Sequence, residues 1–261
     1  MPVIEKHTPG SFCWFELATT DQSSAKKFYS SLFGWTFKEL PIGADEVYTI
    51  FQLNGQDTGA AYTMKREQQS QAIPPHWMLY VAVDNADKVG ARAAELGGKL
   101  CAPAFDVMDV GRMAVIGDPA GAVFAVWQAK KHKGVGITGE NGTVCWADLS
   151  TPDAATARRF YYDLFGWNFV EGEKDTSGYL HIKNHEQFIG GVPAASQRDA
   201  SVPPHWLIYF QVADCDASAT KAREQNANVL FGPHDLETVG RFAVLKDNQG
   251  AAFALFQPEM K

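Results

Sequence analysis

Two carboxylates stand two residues after a tryptophan, one near the start of each half of the chain. They are Glu16 in CWFEL and Asp148 in CWADL. Both segments alternate as strands do, so the tryptophan and the acid of each share one face. A carboxylate on an inward face is costly unless it is paired. Three roles are then open to it: structural ion pair, ligand anchor, or general acid or base. Arg112 and Arg241, each opening a later strand, are possible partners. His76 and His205 each follow Pro-Pro, and read either as hydrogen-bonded strand-entry residues or as bases. Glu16, His76, Asp148 and His205 are therefore the candidate catalytic groups, with no step assigned to any of them. His181 and His185, four apart in a strand-and-turn context, read as surface residues.

These residues come in pairs because the chain repeats. Residues 13–35 return at 145–167, an offset of 132, and PPHW at 74–77 returns at 203–206. DPAGAVFAVWQ at 118–128 returns as DNQGAAFALFQ at 247–257. A period near 130 is a small domain, far longer than the ~20–50 residues of a solenoid repeat. We expect domains at residues 8–130 and 142–258, joined by an exposed linker at 131–141. With 261 residues, 46% of them hydrophobic, the chain can bury two cores. A net charge of −7 and no basic run longer than KKHK at 130–133 argue against nucleic acid as a partner. No stretch reaches the ~20 apolar residues of a membrane span, and MPVIEKHTPG has no apolar signal core. Cys13, Cys101, Cys145 and Cys215 form no CxxC, and read as small hydrophobes in a reducing cytoplasm.

Each half also repeats its order of elements. Residues 12–18 read as a strand, and Asp21 or Thr20 can cap a helix over 22–33. Gly34 ends that helix, and Trp35 opens the next strand. Two short strands follow at 46–53 and 57–63. PPHW then begins a second pass: WMLYVAV, a helix in NADKVGARAAELG, and strands in KLCAPAF, RMAVI and AVFAVW. The fold class is α+β, with four βαβββ modules. Phe28, Tyr29 and Leu32, like Phe160, Tyr161 and Leu164, have the helical spacing of packing residues. The outward strand set, Phe15, Leu17, Leu79, Val81, Phe124 and Val126, should pack under the helices.

This pattern, with FYxxLFGW after the first helix and DPxGxxF before the last strand, resembles the vicinal oxygen chelate superfamily. That group includes glyoxalase I, extradiol dioxygenases, fosfomycin-modifying enzymes and bleomycin-resistance proteins. The likeness covers about residues 10–130 and 142–258, and tandem glyoxalase-like proteins share the doubling. It implies two cupped, barrel-like sheets whose concave faces hold the site, from modules paired within a half or swapped between halves. It also implies metal ligands on the first, fifth and last strands. The family spacing places those at Trp14, Met78 and Ala125, and at Trp146, Leu207 and Ala254. None is a donor for a divalent cation, so no metal and no cofactor are expected.

The inward residues that remain make aromatic-walled cups suited to a planar small molecule. Candidate ligand-binding residues are Trp14, Glu16, Met78, Tyr80, Arg112 and Trp127 in the first cup. In the second they are Trp146, Asp148, Leu207, Tyr209, Arg241 and Phe256. Trp14 and Trp146 either bind or simply fill the space a metal would have taken. The main expectation is a metal-independent binder of a small planar organic molecule. The alternatives are a glyoxalase-like lyase or isomerase, or a dioxygenase-related enzyme, acting on a small carbonyl or aromatic compound, and an interaction module with closed cups. A monomer with pseudo-dimeric halves, or a homodimer, fits the duplication; no membrane partner is expected.

Overall fold

Local signals set the first helix of each half. Asp21 accepts a hydrogen bond from the Ser24 amide at 2.9 Å, and Asp153 does the same for Thr156 at 3.0 Å. Gly34 and Gly166 end these helices at φ 73° and 74°, backbone that a side chain would strain. The computed structural model describes residues 3–44, 46–172 and 177–259.

The first half runs β1 (Phe12–Thr19), α1 (Gln22–Phe33), β2 (Thr36–Pro41), β3 (Val47–Leu53), β4 (Gln56–Thr63) and a short α2 (Arg66–Ser70). It continues with β5 (His76–Ala82), α3 (Ala86–Glu95), β6 (Lys99–Val107), β7 (Gly111–Gly117) and β8 (Val123–Ala129). The second half runs β9 (Val144–Ser150), α4 (Ala154–Phe165), β10 (Asn168–Glu171), β11 (Leu180–Asn184) and β12 (Gln187–Val192). It closes with β13 (His205–Gln211), α5 (Cys215–Glu224), β14 (Asn228–Leu236), β15 (Gly240–Lys246) and β16 (Ala252–Pro258).

Two eight-stranded sheets result, in the orders β2-β3-β4-β1-β5-β8-β7-β6 and β10-β11-β12-β9-β13-β16-β15-β14. Both are curved but open, so the barrel-like sheets do not close. The β1–β5 and β9–β13 seams are antiparallel, so modules pair within a half and do not swap. The expected outward set is fully buried: Phe15, Leu17, Leu79, Val81, Phe124 and Val126 are each at most 1% exposed.

The repeated motifs fasten one half to the other. Tyr29 on α1 donates to Asp247 in the β15–β16 turn at 2.8 Å, and Tyr161 on α4 donates to Asp118 in the β7–β8 turn at 3.1 Å. Asp118 Oδ1 also accepts three backbone amides of its own turn, at 2.8–2.9 Å. The indoles of Trp35 and Trp167 donate to the carbonyls of Gly142 and Gly10, again across the halves. Phe33 packs on Phe210 at 4.8 Å, and Phe124 on Tyr161 at 5.6 Å. The helical packing residues thus serve the junction as well as their own cores.

The segment between the halves is not a free tether, although Lys131 and Lys133 are exposed. Val135 is 1% exposed, and its amide donates to the Cys13 carbonyl at 2.8 Å. The alternating Gly and Lys that suggest a linker instead let the backbone lie against the end of β1. Cys13 and Cys215 are buried, Cys145 is half-buried and Cys101 is exposed; all four are free thiols.

Candidate functional site

Cross-strand register fixes each cup floor. In the first cup one row runs Lys38, Ile50, Ala60, Glu16, Met78, and the next joins Trp14, Tyr80 and Ala125. In the second cup the matching rows are Val170, His181, Gly191, Asp148, Leu207 and Trp146, Tyr209, Ala254. Residues directly opposite in a ladder share a face, so both candidate acids lie beside both tryptophans on the concave side.

Each acid is held by tyrosines. Tyr48 donates to Glu16 Oε1 at 2.6 Å and Tyr80 to Oε2 at 2.8 Å, while the Trp14 indole donates to the Tyr48 hydroxyl at 3.0 Å. Tyr179 donates to Asp148 Oδ1 at 2.5 Å and Tyr209 to Oδ2 at 2.8 Å. The Trp146 indole reaches both the Tyr179 hydroxyl at 2.8 Å and Asp148 at 3.1 Å. Burial pushes Glu16 and Asp148 above the usual carboxylate range, and the tyrosine hydrogen bonds only partly oppose it. Burial, and then the neighbouring carboxylate, raise Tyr48, Tyr80 and Tyr209 well above the usual phenol range.

Tyr48 and Tyr179 are absent from the sequence-derived candidates. They lie 131 residues apart in stretches that otherwise differ, VYTIFQL and GYLHIKN. A matching tyrosine in an unlike setting was the one available signal. Their environment differs in a coupled way. Asp148 is a carbon shorter than Glu16, and its tyrosine sits lower over the floor. A Cβ built on Gly191 would come within 1.9 Å of the Tyr179 hydroxyl, whereas the first cup has Ala60 at that position.

Arg112 and Arg241 do not pair with these acids. Arg112 is opposite Gln128 in the β7–β8 ladder, one residue out of phase with Trp127, and so projects to the helix side. It makes two hydrogen bonds to Asp87 on α3, at 2.7 and 2.8 Å. Arg241 likewise binds Asp216 on α5 and Asp235 on β14. His76 and His205 sit at the mouth, half-buried, each with Nδ1 2.8 Å from the carbonyl two residues back. Among the described residues no hydrogen bond or ion pair links either ring to an acid. His181, expected at the surface, lies instead on the second cup's floor in the row of Asp148, half-buried, with its ring 5.0 Å from Tyr179 and 6.2 Å from Trp146. His185 is exposed in the following turn at φ 53°, as expected.

The aromatic candidates stay on the walls. Trp127 is 6% exposed, and Phe256 is half-buried opposite Phe242. Among the described residues no three His, Cys, Asp or Glu side chains come together as a metal site. Divalent cations need several converging donors, and in each cup both oxygens of the acid already accept from tyrosines. The residues present do not fit the metal of the family's enzymes.

A cupped sheet of two βαβββ modules, carried twice with a tyrosine-bound acid on each floor, defines a tandem vicinal-oxygen-chelate protein. The profile of the Glyoxalase/Bleomycin resistance protein/Dioxygenase superfamily matches residues 11–126 and 142–255, and the chain belongs to that family. It is 39% identical over 260 residues to "Putative glyoxylase CFP32" of Mycobacterium tuberculosis, covering 99% of this chain and 98% of that one. It is 33% identical over 268 residues to "Anthracycline biosynthesis protein DnrV" of Streptomyces peucetius, covering 97% and 95%. The fold resembles that of a Mn(II)-bound glyoxalase from Novosphingobium aromaticivorans, with a TM-score of 0.63 at 13% identity, covering 95% of this chain and 82% of that one. Among the described residues no helix is long and apolar enough to cross a membrane.

Proposed function

We propose that the protein binds a small planar organic molecule in an aromatic cup, without a divalent metal. One observation carries this reading: beside the positions the family spacing assigns to metal ligands, both floors carry an acid already engaged by two tyrosines, with an indole in the same hydrogen-bond network. The surrounding walls offer ring faces for stacking, worth ~0.5–1.5 kcal/mol per pair beyond burial. The relative named for anthracycline biosynthesis fits, since anthracyclines contain a flat polycyclic chromophore. Cytoplasmic residence, with the two halves of a monomer replacing a dimer, completes the proposal.

The test is metal analysis of purified protein together with thermal unfolding in the presence of flat aromatic compounds. No stoichiometric Zn, Ni, Fe or Mn is expected, and a ligand at 100 times its Kd should add ~2.7 kcal/mol of stability. One bound metal ion per half, lost on Glu16→Ala or Asp148→Ala, overturns it. A second reading, a lyase or isomerase that moves a proton, is favoured by His181 lying in the row of Asp148, whose carboxyl is raised. Turnover lost in Asp148→Asn, with ligand binding kept, would choose it.

A further inference from the structure

The first cup contains its own occupant. The His132 imidazole, from the segment between the halves, stands edge-on to Trp14 with ring centroids 4.3 Å apart, and lies 5.9 Å from Trp127. The Trp127 indole donates to the His132 carbonyl at 3.0 Å. The segment is pinned on both sides: the Gly136 amide donates to the Asp57 carbonyl at 2.8 Å, and the Ile4 amide to the Gly136 carbonyl at 2.9 Å. His7 Nε2 lies 3.0 Å from the Val135 carbonyl. Gly134 makes the approach feasible, since a Cβ there would come within 2.3 Å of the Cys13 carbonyl. Beneath this cover Trp14 is only 3% exposed. His132 Nε2 is buried with no hydrogen-bond partner. Such an orphan is a cost that a ring held for its own polar contacts would not carry.

The second cup differs around its indole. Trp146 is half-buried, and its ring neighbour is His181 from its own sheet. His181 replaces Ile50 of the first cup's floor row. Among the described residues no hydrogen bond engages the His181 ring. Across the cup, Phe231, His234 and Phe242 form a ring cluster with centroids 5.4–6.3 Å apart. The matching first-half residues are Ala102, Phe105 and Met113. Phe188 and Phe231, one on each wing, are 53% and 49% exposed, a large apolar ring surface left to water.

Resting on the binding function proposed above, we infer that the second cup alone is the ligand site, the first being closed by His132. The ligand class is a flat hydroxyaromatic or hydroxyquinone. Its rings lie between Trp146 and Phe242, and its oxygen edge meets His181, whose ring can both donate and accept. The floor acid is already engaged by its tyrosines, which leaves His181 as the polar group open to a ligand.

The probe is quinizarin (1,4-dihydroxyanthraquinone), titrated calorimetrically into the full chain. One molecule per chain is expected. His181→Ile, which installs the first cup's residue, and Trp146→Ala should each weaken binding about tenfold. Trp14→Ala should leave the affinity unchanged. His132→Gly should uncover Trp14, read as increased acrylamide quenching of tryptophan fluorescence. Thermal unfolding of each variant verifies folding, and His181→Ile serves where Trp146→Ala does not fold. Two molecules on the parent, or binding lost in Trp14→Ala and kept in His181→Ile, overturns the inference and leaves the binding function standing. Unchanged quenching in folded His132→Gly overturns the closure by His132. No binding to the parent sinks the binding function and this inference with it.

Discussion

The two cups share a plan and differ by paired substitutions. In the first, a long acid, Glu16, stands beside Ala60 and holds Tyr48 away from the floor. In the second, a short acid, Asp148, stands beside Gly191 and draws Tyr179 down onto it. The carboxylate–tyrosine–indole unit survives both versions. What is kept is therefore the satisfaction of a buried acid, because an unpaired one would be costly. What changes is the ring beside the indole: a histidine from the chain's own middle segment stands on Trp14 in the first cup, and a histidine of its own floor, His181, neighbours Trp146 in the second.

The strongest way to break this comparison is Gly191→Ala. The new methyl would drive into the Tyr179 hydroxyl, and a cost of ~1–3 kcal/mol is expected in urea unfolding. Combining it with Asp148→Glu recreates the first cup's pair. The double variant should recover part of the loss, with a coupling of ~0.5–3 kcal/mol in a double-mutant cycle. Strict additivity would show that the acid and the floor residue are not matched.

Next are Tyr48→Phe and Tyr179→Phe, each removing one donor from an enclosed acid. Each should cost ~1–3 kcal/mol in urea unfolding, because an enclosed carboxyl oxygen loses its donor. A cost within error of zero would contradict the pairing.

A pH series sharpens the comparison further. Glu16 and Asp148 are raised in the folded protein, so the stability linked to them is fully present below the usual carboxylate range. It is lost as pH rises through the raised folded value. Glu16→Gln should flatten the slope from the first cup alone. His132 is shifted the other way, lowered chiefly by burial, with Asp57 opposing and Lys38 and His7 adding to it. Its contribution is present above the usual histidine value of 6.5 and lost as pH falls through the lowered folded value. Acid should therefore loosen the cover of the first cup, read as increased acrylamide quenching of tryptophan fluorescence that is absent in His132→Gly.

The smallest effect is expected at the rim. Arg241→Ala should leave quinizarin affinity unchanged, because its partner Asp216 is on α5, behind the sheet. A tenfold loss of affinity would return Arg241 to the cup.

The sequence by itself determined whatever is local or repeated. The duplication, the βαβββ order, the capped helices ending at Gly34 and Gly166, and the shared face of Trp14 with Glu16 all follow from spacing, because helical and strand periods act over a few residues. Only the tertiary structure decided what depends on partners distant in the chain. Whether Arg112 faces the cup or α3 turns on a one-residue phase against Trp127, which is set by the β7–β8 ladder. Tyr48 and Tyr179 became partners of the acids, and His181 a floor residue, because β3 and β11 lie two strands from them in their sheets. The segment at 131–141 reads as a tether because its residues are small and charged. It became a cover because Gly134 lets it approach β1 and β4, where Cys13 and Asp57 had carbonyls left to accept its amides.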